Sequence, residues 1–263
     1  DKRIVRLIQK WLKAGVSEDG EWSSTVVGTP QGATVSPLMA NVYLHYVLDL
    51  WVEAWRKRHA RGEVYIVRYA DDFVMGFQYR SDAEAFHQLL GVRMRKFGLE
   101  LNTEKTRLIE FGRFAAEDRA KRGEVKPETF DFLGFTHICA RRRKDGRFTV
   151  LRKTIAKRLR KKVKEIKKEL KRIRHSPVPV QGKWLRSVIT GYFNYHAIPG
   201  NCQALNSFRK LLAQEWLRSL RRRSQKGRNL TWVRMQKLLE TWFPRVKILH
   251  PYPDQRLCVI NSR

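Results

Sequence analysis

Two neighbouring aspartates, Asp71 and Asp72, interrupt the apolar run Val64-Tyr65-Ile66-Val67-Arg68-Tyr69-Ala70-Asp71-Asp72-Phe73-Val74-Met75-Gly76-Phe77. The β-branched and aromatic residues on both sides predict two strands meeting at a turn, with the carboxylates at its tip. Like charges at the end of a hydrophobic hairpin are costly unless something positive neutralises them, and a divalent metal is the simplest candidate. Adjacent aspartates at a sharp turn can aim different oxygens at one locus. That is what two-metal phosphoryl transfer needs, where one cation activates a hydroxyl and the other receives the leaving phosphate. A third carboxylate from a neighbouring strand normally completes such a set. The plainer alternative is a polar hairpin tip with no ligand.

The rest of the chain supplies a reason to think of phosphates. Its 263 residues suit one or two domains with a real core, and 55 Lys and Arg against 25 acids give a formal charge of +30. Solubility alone needs far less, so a polyanionic partner is the economical reading. No uninterrupted apolar stretch approaches a membrane span, and the start, Asp1-Lys2-Arg3, is charged where a signal peptide is apolar. These features predict a cytoplasmic protein with no membrane partner. Cys139, Cys202 and Cys258 lie far apart without a CxxC pair, which favours incidental thiols over a disulfide framework or zinc ribbon. The seven histidines show no mutual ligand spacing.

Helices and strands must hold the acidic tip in place. Ile4, Leu7, Ile8 and Trp11 predict a helix over residues 3–14, and residues 21–29 read as extended. Ser36-Pro37 starts a long helix carrying Val47, Leu48, Trp51 and Trp55. Ser81 and Glu84 form a capping-box pattern ahead of Phe86, Leu89, Leu90, Met94 and Phe97, and Gly98 offers a stop. Leu99-Glu100-Leu101 and Thr106 to Phe111 look like short strands, and residues 115–129 like a polar loop. From 141 to 174 there are eighteen Lys or Arg against three acids, half of the net charge. There Ile155, Leu159, Val163, Ile166, Leu170 and Ile173 give a helix one apolar side. Its basic remainder, including Lys157, Arg158, Lys161 and Lys164, is a candidate nucleic-acid surface as well as an ordinary solvated face. After the Ser176-Pro177-Val178-Pro179 break, further helices are predicted over 183–196, 203–223 and 230–242.

Four ordered motifs resemble the reverse transcriptase/maturase proteins encoded by bacterial group II introns. Tyr69-Ala70-Asp71-Asp72 looks like the catalytic hairpin of reverse transcriptases. Gly28-Thr29-Pro30-Gln31-Gly32, followed by Ser36-Pro37-Leu38 and Asn41, is similar to the block lining the template and incoming-nucleotide pocket. Gly98 to Thr106 resembles the next block, whose lysine, here Lys105, is associated with the nucleotide phosphates. Phe132-Leu133-Gly134-Phe135 resembles the primer grip. Gly191 to Tyr195, Leu220-Arg221-Arg222-Arg223-Ser224-Gln225 and His250-Pro251-Tyr252-Pro253 look like the thumb or maturase domain and its tail.

The resemblance implies an α+β fold: a partial right-hand palm over 1–140, an antiparallel sheet with helices on one side, then an all-helical thumb over 141–263. It implies RNA-directed DNA polymerase activity with maturase activity, and a rival role as a non-catalytic module that binds intron RNA. Asp71, Asp72 and Lys105 become catalytic candidates, with Mg2+, or Mn2+ in its place, on the two aspartates. Gly28, Pro30, Gln31, Gly32, Tyr69 and Ala70 become pocket residues, Phe132, Leu133 and Gly134 the primer grip, and Arg221, Arg222 and Arg223 nucleic-acid contacts. Implied partners are group II intron RNA, an RNA template with a DNA primer, and deoxynucleoside triphosphates. The family places its first metal-binding aspartate ahead of the segment that Asp1 begins. Asp19, Asp49 and Asp131 do not suit that role, so a separate fingers and palm chain is a further expected partner and the isolated chain is expected to be an incomplete catalytic unit.

Overall fold

The computed structural model describes residues 1–12, 16–18, 21–23, 35–124, 126–142 and 144–253. The fold is mixed α+β, with small antiparallel sheets and helical regions, and it divides into two compact units, Asp1–Leu108 and Ile109–Arg263. The division falls ahead of the 140/141 boundary anticipated from sequence, because one strand ladder runs across that point.

The first unit opens with α1 (Lys2–Leu12) and a short pair, β1 (Val16–Glu18) and β2 (Glu21–Ser23). A long helix follows in three parts: α2 (Ser36–Leu44), a π-helical stretch (His45–Asp49) and α3 (Leu50–Arg58). Next come the hairpin of β3 (Val64–Tyr69) and β4 (Asp72–Phe77), and α4 (Arg80–Lys96). Alternation along the hairpin decides what is buried. Val64, Ile66, Met75 and Phe77 join Leu48, Val52, Trp55, Phe86, Leu90 and Met94 in one core, whereas Tyr65, Val67 and Tyr69 on the opposite face are 61, 59 and 65 % exposed. Trp55 meets Phe86 edge-on with ring centroids 5.0 Å apart, which fixes α3 against α4.

Several local expectations change. The capping box does not form. α4 starts one residue before Ser81, and the buried Asp82 instead accepts from the Arg61 and Gly62 N–H groups at 2.9 and 3.1 Å, tying the approach of β3 to the helix. Gly98, at φ +65°, ends the helix as predicted. Leu99–Leu101 and Thr106–Phe111 are irregular; Leu99 and Leu101 pack as side chains on the first core without joining a strand ladder. The segment read as a loop contains α5 (Ala115–Lys121).

The second unit holds a three-stranded sheet of β5 (Phe130–Phe132), β6 (Phe135–Arg141) and β7 (Phe148–Thr154), so the part beyond 140 is not all-helical. α6 (Ala156–Arg172), α7 (Val178–His196), α8 (Cys202–Arg221) and α9 (Trp232–Trp242) then build a bundle. Leu159, Ile166 and Leu170 are buried as their spacing predicts, packed with Leu185, Ile189, Phe208, Leu212 and Trp216. Buried polar side chains are built into that core as well. Gln181, fully buried, donates to the Arg174 and Ser176 carbonyls at 3.0 Å each and accepts from Trp216 Nε1 at 3.0 Å.

Candidate functional site

Tyr69 pairs with Asp72, which leaves Ala70 and Asp71 as a two-residue turn. Ala70 takes φ +54°, a left-handed conformation that an L-residue adopts at a cost of roughly 1–2 kcal/mol. The turn puts both aspartates at an exposed tip, and no described residue donates to either carboxylate. Asp72 shares its face of the hairpin with Tyr65, Val67 and Tyr69, while Arg68 points to the opposite, core side.

Arg68 braces the tip. Its Nε and Nη2 donate to the two oxygens of Asp49 at 2.8 and 2.7 Å, a bidentate fork in which both side chains are largely shielded from solvent. Its Nη1 donates to Asn41 Oδ1 at 2.8 Å and to the Ala70 carbonyl at 2.9 Å. Asn41 in turn donates to the Pro37 carbonyl at 2.9 Å. One guanidinium thus ties the turn itself to α2 and to the π-helical stretch. The Arg68 hydrogen bonds hold the Asp49 carboxyl below the usual carboxylate range, and Asp49 holds Arg68 ionised in return. Sequence reasoning passed over this pair. The signal was a single arginine at a core-facing position of an apolar strand, where a charge requires a buried partner.

Of the other anticipated residues, Gly28, Pro30, Gln31 and Gly32 lie outside the described residues. Lys105 is exposed on the turn after α4; its backbone N–H bonds to Asn102, and no described hydrogen bond or ion pair joins it to the aspartates.

Phe132-Leu133-Gly134-Phe135 forms the tip of the β5–β6 hairpin. Leu133 and Gly134, at φ +47° and +83°, are the central residues, the pattern of a tight type I′ turn. Among the described residues, Ala70 and Leu133 are the non-glycine positions with positive φ, one at each hairpin tip singled out from sequence. The second tip is also braced: Tyr195 donates through its hydroxyl to the Leu133 carbonyl at 2.7 Å and stacks on Phe135, and Ile155 N–H reaches the Gly134 carbonyl at 3.2 Å. Behind it, Asn201 holds Thr154 by two hydrogen bonds, and burial, then nearby Arg158, pushes His196 down to about 4.

Lys157, Arg158, Lys161 and Lys164 are exposed along α6. At the end of α8, Arg221 donates to the Leu230 carbonyl and Arg223 to the His175 carbonyl, while Arg222 is exposed. Tyr192 and Phe193 are buried packing residues, with Tyr192 stacked on Phe208, so their aromatic faces serve the bundle.

Carboxylate oxygens suit a hard divalent cation, and Asp71 and Asp72 are free to bind one. Among the described residues, however, no group of three His, Cys, Asp or Glu side chains converges on a common point.

The chain is therefore a mixed α+β protein with a carboxylate-tipped, internally braced hairpin. A family model described as reverse transcriptase (RNA-dependent DNA polymerase) matches residues 1–137, more than half of the sequence, and the chain belongs to that family. It is 48% identical over 54 residues to the group II intron-encoded protein LtrA of Lactococcus lactis subsp. cremoris, covering 19% of this chain and 9% of the relative. It is 47% identical over 53 residues to an uncharacterized 91 kDa protein in the cob intron of Schizosaccharomyces pombe, covering 20% and 6%. It is 29% identical over 162 residues to protein YkfC of Escherichia coli, covering 48% and 42%. The chain spans less than half the length of each of these relatives. Among the described residues, no helix is long and apolar enough to cross a membrane.

Proposed function

We propose that this chain is part of a bacterial, cytoplasmic group II intron reverse transcriptase that also acts as a maturase. Residues 1–140 would form part of the palm, with the β6–β7 ladder carrying its sheet past that point to Thr154, and the helices of 141–263 the thumb or maturase domain. The observation that carries this reading is the tip. Asp71 and Asp72 stand free on a turn in a left-handed conformation, locked by Arg68 to Asp49 and Asn41, within a segment matched by the reverse transcriptase family.

In that role Asp71 and Asp72 would hold Mg2+, with Mn2+ as a substitute, together with a further carboxylate from another segment or from a fingers and palm chain. The bound metal supplies activation of a primer hydroxyl and neutralisation of the phosphates. Arg68 and Ala70 keep the carboxylates at a fixed height. Tyr69 would line the pocket for the incoming deoxynucleoside triphosphate with Gly28, Pro30, Gln31 and Gly32, and Lys105 would offset the charge of the departing pyrophosphate. Phe132, Leu133 and Gly134 would steady the DNA primer on its RNA template. The basic faces with Lys157, Arg158, Lys161, Lys164 and Arg222 would meet duplex and intron RNA. Arg221 and Arg223, each with N–H donors beyond those bound to carbonyls, would help them.

A second reading has its own observation. The basic helices belong to a unit with its own core, distinct from the unit that carries the aspartates, so the chain could bind intron RNA without polymerising. Primer extension on an RNA template with Mg2+ separates the two. Incorporation lost in Asp72→Ala with RNA binding retained supports the enzyme. Tight RNA binding with no incorporation, even when the chain is supplied within its full-length protein, supports the non-catalytic module and overturns the polymerase reading.

A further inference from the structure

A cleft of about 620 Å³ lies in the second unit, where the β6–β7 turn meets the start of α5. Its lining alternates guanidinium and aromatic groups, with Arg113, Arg141 and Arg147 beside Phe114 and Phe148. Phe114 is 62 % exposed, a large apolar ring facing solvent among cations. The arginines are held in different ways. Arg141 donates one N–H to Glu117 at 2.7 Å; Arg147 lies 3.7 Å from Asp145; no described residue pairs with Arg113. Arg142 N–H donates to the Arg147 carbonyl at 2.8 Å and Gly146 N–H to the Arg142 carbonyl at 2.9 Å, which ties Arg147 to the end of β6.

Resting on the nucleic-acid reading above, we infer that this cleft is a binding site for single-stranded RNA. It would stack an unpaired base on Phe114 and hold the flanking phosphates with Arg113, Arg141 and Arg147. Guanidinium groups match phosphate oxygens in a bidentate fashion, and an exposed ring accepts any base by its face. A paired base has no free face to offer, so the site discriminates strand from duplex. Glu117 also lines the cleft and can accept from an exocyclic amino group. None of the residues at the two hairpin tips lines the cleft.

The test uses the whole chain with a labelled fifteen-nucleotide single strand and a hairpin duplex, compared at one salt concentration. Phe114→Ala weakens single-strand binding by about tenfold and leaves duplex binding within about twofold, while Phe114→Trp restores it. Arg113→Ala with Arg147→Ala lowers the salt slope for the single strand by about 1.4, at about 0.7 per phosphate contact. In the unmodified protein, 4-thiouridine in the strand crosslinks within residues 111–148. Unchanged single-strand affinity in both folded variants, or crosslinks confined to α6, overturns the cleft while leaving RNA binding by the chain intact. Preference of the cleft for a polyglutamate peptide over RNA also overturns it. If the unmodified chain binds no RNA at all, the function proposed above falls with it.

Discussion

At the scale of single residues, Arg68 has most to do. Its fork to Asp49, its bond to Asn41 and its bond to the Ala70 carbonyl occupy four N–H groups in a largely shielded setting. Lysine keeps the charge but cannot form the fork, so Arg68→Lys is expected to destabilise the first unit by about 1–3 kcal/mol, read as a shift in urea midpoint. A double-mutant cycle with Asp49→Asn then gives a coupling well above that of an exposed pair, and a coupling near zero would remove Arg68 as the brace. The sign of the pH effect follows from Asp49. Its folded carboxyl titrates below its ordinary value of 3.8, so the pair's contribution is present above about pH 4 and is lost as pH falls further. His196 acts in a different window. Its folded pKa, near 4, lies below the ordinary 6.5, so the unfolded chain takes up a proton first, and stability declines between those values on acidification. Unfolding of His196→Gln followed from pH 7 to pH 4 should show that slope flattened relative to the unmodified chain.

At the scale of elements, what the sequence made legible and what it hid have separate physical causes. The β3–β4 hairpin and the helices over 155–173, 183–196, 203–223 and 230–242 were legible because their apolar periods coincide with their buried faces. The residues past Gly98 were misread as strands because Leu99 and Leu101 alternate like a strand but use the alternation to anchor an irregular segment on the core. β7 was hidden by Arg147, Arg152 and Lys153 on and beside it, because a strand with consecutive charges, one of them half-buried, looks like the start of the basic helical region that follows. The acidic tip was legible from composition. Its brace was not, because Asn41, Asp49 and Arg68 come together only once the long helix lies along the hairpin. Gln181 is similar: a lone glutamine in a helical pattern gives no hint that it closes the end of α6. Gln181→Leu strands two carbonyls and the Trp216 N–H in the core, and a loss of about 2–4 kcal/mol in equilibrium unfolding is expected. A loss below 0.5 kcal/mol would mean that water or a shifted helix satisfies those groups.

At the scale of the whole molecule, the charge of +30 and the two aspartates make opposite demands, and the chain answers them by keeping them in different segments. Half of the excess charge lies in residues 141–174, in the second unit, while the acidic tip stands in the first. If affinity for RNA arises from the basic segments, it should obey counterion release. With about eight cations on duplex phosphates, log affinity falls against log salt with a slope of about seven, and each lysine or arginine removed lowers it by about 0.9. The aspartates enter that balance with the wrong sign. Asp71→Asn with Asp72→Asn should leave the slope unchanged without metal and leave affinity equal or modestly higher, since two carboxylates no longer repel phosphates. In the presence of Mg2+ the difference between the two proteins should shrink, because a cation bound at the tip already masks the unmodified carboxylates. A double variant that binds RNA more weakly than the unmodified chain in the absence of metal would show that the tip is an RNA contact in its own right. The separation of a cation-holding tip from a phosphate-holding surface, on which the polymerase reading depends, would then fail.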